Sequence, residues 1–161
     1  MRILFSALLC LFLVACASTP KDEALTSVDI LEIKPRYIDG ATFVRIGEFL
    51  TGKENTGDRV IIRSKPEDRS GYYFTLVLDE SVRRLPQGTV IVGEFYVPGQ
   101  TQPISINFKM PPNRPKTHEV FVGLTGSDWP DQEAVPGAWR FTIKDPNGKE
   151  LGSEKSFLWN I

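Results

Sequence analysis

Trp139-Arg140-Phe141-Thr142-Ile143-Lys144 alternates large apolar and polar side chains, and Asp145-Pro146-Asn147-Gly148 follows at once. Successive side chains of a strand point to opposite faces, so Trp139, Phe141 and Ile143 share an inner face. Arg140, Thr142 and Lys144 then share the outer one. The Asn-Gly pair tolerates the positive φ that a tight turn requires. Leu151 to Ile161 is expected to return as the partner strand, with Phe157, Trp159 and Ile161 facing in. A hairpin with one dry face needs a second layer of the same kind to cover it. This reads as all-β.

The same pattern recurs upstream. Ile104, Ile106, Phe108 and Met110 alternate with Ser105, Asn107 and Lys109, and Glu119 to Leu124 makes another apolar run. Gly88-Thr89 opens a strand in which Ile91, Phe95 and Val97 share a face. Tyr72, Phe74, Leu76 and Leu78 share one as well, which leaves Tyr73 for the opposite, exposed side. Further runs span Arg59 to Arg63, Ala41 to Leu50 after the Asp39-Gly40 turn, and Val28 to Ile38. Pro35 interrupts the last of these, as suits an edge strand. Asp79 to Leu85 offers one helical turn, and no stretch carries a helical period beyond that length. Roughly eight or nine short strands, punctuated by 13 glycines and 12 prolines, indicate one antiparallel β-sandwich with Greek-key connections. Pro136 to Ile143 with Gly148-Lys149-Glu150-Leu151 resembles the final hairpin of Ig-like bacterial envelope domains. The resemblance covers about 25 residues, implies Ig-like topology and carries no function. The antibody-type Cys…Trp…Cys pattern is absent.

The N-terminus reads differently. Arg2 and the apolar run from Ile3 to Val14 form a short export signal, too short for a membrane span of roughly 20 residues. Leu13-Val14-Ala15-Cys16 resembles the lipobox of bacterial lipoprotein precursors. That resemblance implies a signal peptide over 1–15, cleavage before Cys16 and lipidation of Cys16, which anchors the chain in a membrane. Ala17 stands where an Asp would retain such a protein at the inner membrane, so the periplasmic face of the outer membrane is implied. A polar tether over 16–26 then leads to a domain over 27–161. A flexible tether of about ten residues has an r.m.s. span of roughly 17–19 Å. Cys10 lies within the signal, so neither cysteine remains as a free thiol in the mature domain.

Charge excludes one class of partner. Nineteen Lys and Arg against 20 Asp and Glu leave a net charge of −1, with no basic footprint for nucleic acid. His118 is the sole histidine, no G-x-S-x-G elbow occurs, and zinc lacks ligands. Gly52 to Gly57 lacks the order of a phosphate loop. Asp79, Glu80 and Glu94 are the carboxylates that a small hydrolase could pair. No cofactor is implied. The loop from Thr125 to Ala134 carries Trp129, Asp128, Asp131 and Glu133. Trp129 suits an aromatic platform for a sugar or a partner, and the three acids suit a hard cation. Tyr73 is expected at an exposed interface, and Arg114 at the exposed end of the Pro-rich connection from Met110 to Lys116. The expectation is a non-catalytic interaction or accessory module, held at the membrane and meeting another envelope protein. A glycan-binding module using exposed loop aromatics is the alternative.

Overall fold

Among the described residues eight strands emerge, and most follow the alternation and apolar runs above. The computed structural model describes residues 25–129 and 131–160. The expected signal, Cys16 and the tether as far as residue 24 lie outside the described residues. Leu25, at the tether's expected end, already packs against the core. Among the described residues no helix is long and apolar enough to cross a membrane.

The strands are β1 (Ile30–Ile38), β2 (Val60–Arg63), β3 (Gly71–Leu78), β4 (Val90–Tyr96), β5 (Ile104–Lys109), β6 (Glu119–Thr125), β7 (Ala138–Lys144) and β8 (Glu150–Lys155). They form two four-stranded sheets, β1-β3-β6-β2 and β5-β4-β7-β8. Strands β1, β3 and β6 stand where A, B and E stand in the immunoglobulin sandwich, and β5, β4, β7 and β8 where C′, C, F and G stand. The chain is an Ig-like β-sandwich. One pairing departs from the antiparallel expectation. Beside β6, where constant-type domains place strand D, β2 runs parallel, with Val60 facing Val120 and Arg63 facing Gly123. It can do so because it comes from the long β1–β3 connection rather than from a hairpin.

Between the sheets lies an aromatic core. Phe74 meets Phe95 at 5.2 Å and Phe141 at 5.1 Å, and Phe95 meets Phe108 edge-on at 6.4 Å. These are the inward residues that the alternation picks out. Val28 donates its N–H to the Leu151 carbonyl at 2.9 Å, which ties the sheets together where the chain comes in. That N-terminal pole also holds the Ile30–Leu78 pairing and the turn after Lys144. The far pole holds Ile38 against Gly71, Gly71 against Thr125, and Tyr96 against Ala138. Eight strand steps of about 3.3 Å separate the two by about 26 Å.

Candidate functional site

The β1–β3 connection departs most from expectation, and it builds the most unusual surface. Ala41 to Leu50 is not a strand. Asp39 Oδ1 accepts from the Ala41 N–H at 2.8 Å and caps a 3-10 turn over Gly40–Phe43. Helix α1 (Ile46–Thr51) follows and ends on Gly52, whose φ of 64° suits glycine. Phe43 drops onto the outer face of the first sheet, 4.9 Å from the Tyr73 ring, and joins a second apolar cluster with Ile38 and Phe121. Tyr73 is therefore fully buried, not exposed, because this insertion covers the face that a free strand would leave wet.

An ionic brace holds the insertion down. Arg63 donates to both Glu54 oxygens at 2.7 and 2.9 Å, and its Nε donates to the Tyr73 hydroxyl at 2.8 Å. The Tyr73 hydroxyl donates in turn to the Arg69 carbonyl at 2.7 Å, and Arg69 Nη1 donates to Glu48 at 2.7 Å. The Arg63 hydrogen bond holds the Glu54 carboxyl below the usual carboxylate range, against a smaller opposing effect of burial. Burial pushes the Tyr73 hydroxyl up, outweighing the nearby Arg63. Burial acts to lower the Arg63 pKa, and its bonds to Glu54 and Tyr73 overcome this and raise it.

With Glu48 turned inward, the apolar residues of α1 face water. Ile46, Phe49 and Leu50 are 83, 81 and 85% exposed. Among the described residues nine large hydrophobics are exposed. Val44, Ile46, Phe49, Leu50, Tyr96, Val135, Phe157 and Leu158 all belong to the far pole, and Leu31 alone lies near the N-terminal one.

The closing strand contributes to that pole by stopping early. β8 ends at Lys155, and Phe157–Asn160 turns into a 3-10 helix instead of continuing inward. Phe157 is thus exposed, and Trp159 leaves the core to lie 5.4 Å from Tyr96 and under Arg140 at 4.9 Å. Ile161 lies outside the described residues. Arg140 also donates to Glu94 at 2.6 Å, beside a polar trough of about 440 Å³ on the outer face of the second sheet.

No family model and no curated protein sequence matches the chain. Among solved structures, an immunoglobulin-like protein from Pseudomonas aeruginosa is similar over 83% of this chain and 97% of its own, at 16% identity and a TM-score of 0.31. A likeness that weak carries no argument, and the Ig-like architecture rests on the strand order above.

The residues expected to bind are scattered in role. Trp129 is 4% exposed, packed at 5.0 Å against Tyr72, so it closes the core and offers no platform. Asp128 lies 3.6 Å from Lys65, and Asp131 accepts the Glu133 N–H at 2.9 Å. Among the described residues no three metal-ligating side chains converge, so Asp128, Asp131 and Glu133 do not make the cation site that was one reading of this loop. Arg114 is not at an exposed end. It is 7% exposed and clamps the Leu85 carbonyl at 2.7 Å and the Pro86 carbonyl at 3.3 Å. Burial alone lowers its pKa. What the alternation missed was α1. Its only signal was the spacing of Ile46, Phe49 and Leu50, two turns too short to stand out from a strand.

Proposed function

We propose that the chain is a lipid-anchored, non-catalytic interaction module of the bacterial cell envelope. Cys16 holds it to the membrane, and its far pole meets another envelope protein. One observation carries this reading: among the described residues, eight of nine exposed large hydrophobics lie towards the pole opposite the one where the tether joins. Exposed apolar groups scatter singly on ordinary surfaces, and a gathering of them marks an interaction site. The anchor contributes by confinement, since a tether of nanometre span keeps the pole at high effective concentration for partners in the same envelope. The candidate catalytic groups support a non-enzymatic role because each has a structural task. Asp79 accepts from the Asp29 N–H, Glu80 pairs with Arg84, Glu94 pairs with Arg140, and the Nδ1 of His118 meets the Leu78 carbonyl. The glycan alternative loses Trp129 and Tyr73 as platforms. Tyr96 and Trp159 remain, packed on one another.

Two measurements test the reading together. Labelling cells with a palmitate analogue is expected to mark the wild-type chain and to leave Cys16→Ala unmarked. Photocrosslinking from both poles is expected to yield protein adducts from the far pole only. An unlabelled wild type removes the anchor, and equal adducts from both poles remove the assignment of the surface.

A further inference from the structure

We infer that α1 is the docking element of the far pole, a helix laid into an apolar, carboxylate-rimmed groove of a second envelope protein. This rests on the interaction-module reading and adds the element and the chemistry of its partner. A surface helix ordinarily turns its apolar stripe inward and its charges to water. Here the order is inverted. Glu48 points in to Arg69, while Ile46, Phe49 and Leu50 point out. Their spacing of i, i+3 and i+4 is that of the anchors a helix lays in a groove. The helix is held in this attitude rather than left to fold its apolar face back. Glu48 Oε1 accepts the N–H groups of both Arg45 and Asn55, Phe43 pins the preceding turn, and Arg63 fastens the following loop through Glu54. An apolar triad fixed in water is preorganised for a partner, which lowers the ordering cost of association.

Charge names the groove. The two glutamates of the segment are taken up by Arg69 and Arg63, while Arg45 and Lys53 are exposed at the two ends of α1. Carboxylates on the rim of the groove complement that pair.

The test is photocrosslinking in living cells with the intact chain. A photoreactive residue is placed singly at Ile46, Phe49, Leu50, Val135, Phe157 and, as control, Leu31. Positions 46, 49 and 50 are expected to attach to one protein, at a segment that mass spectrometry maps as apolar and flanked by Asp or Glu. With the probe at Ile46, Phe49→Asp is expected to cut the adduct about tenfold or more, and Lys53→Glu about threefold. Neither substitution touches a buried side chain, so the melting temperature should stay unchanged. Adducts to lipid, to a second copy of this chain, or to a segment without carboxylates overturn the inference. Adducts from Val135 or Phe157 alone overturn the role of α1 and leave the interaction module standing. Failure at all five far-pole positions overturns both.

Discussion

Arg114 is a cation buried among backbone carbonyls, where the fork of its guanidinium serves two acceptors at once. It joins the connection after β5 to the turn before β4, and its own carbonyl accepts from Arg83 Nε at 3.3 Å. Hydrogen bonds to charged groups contribute about 1.5–3 kcal/mol each, so Arg114→Ala should lower the unfolding free energy by about 2 kcal/mol. Arg114→Lys should recover part of that, as urea denaturation of the two variants would reveal; full stability of the alanine variant would remove the clamp. Gly123 makes a comparable case. A Cβ there would come within 2.5 Å of the Tyr73 ring, so the glycine is what lets that ring lie flat across β6. Gly123→Ala should cost about 1–3 kcal/mol through overpacking. The same variant should disturb the Arg63–Tyr73 bond, which a shift of the Tyr73 ring resonances would report. Neither role was legible beforehand. Arg114 sits between prolines in a stretch that looks solvated, and Tyr73 looks wet wherever a strand is assumed to have one wet face.

At the scale of elements, alternation located most of the strands to within a residue or two, because burial of one face writes period two into the chain. It failed where another rule operated. Ala41 to Leu50 contains enough β-branched and aromatic residues to pass as a strand, yet the Asp39 cap and the brace select helix. The brace draws Glu48, Glu54, Arg63 and Arg69 from four separate places, and no local pattern connects them. Its pH dependence has a definite direction. The folded-state pKa of Glu54 is depressed, so its contribution is fully present above the ordinary value of 4.5 and is lost as the pH falls below it. The stability difference between wild type and Glu54→Gln should be constant from pH 7 to 5 and shrink towards zero on further acidification. A difference that grew in acid would refute the depressed pKa.

For the molecule as a whole, the Ig-like frame was legible because two sheets of alternating strands have few ways to close over one core. The polarity of the molecule was not. Which pole receives the apolar side chains depends on where β8 stops and on how the insertion folds, and both are tertiary outcomes. The insertion has one further effect. β6 is buried on both faces along nearly its whole length, and the four residues of β2 are all that stand between it and solvent. β2 is held by its ladder to β6, by the Arg63 brace, and at its end by bonds of Ser64 and Lys65 to Gly123 and Thr125, so acid that loosens the brace weakens one of its fastenings. A released β2 would bare a long apolar edge of the kind that recruits other chains into mixed sheets. Acid that unfastens the brace should therefore promote self-association before it unfolds the sandwich. Light scattering rising at lower acidity than the loss of tyrosine and tryptophan ellipticity would register it.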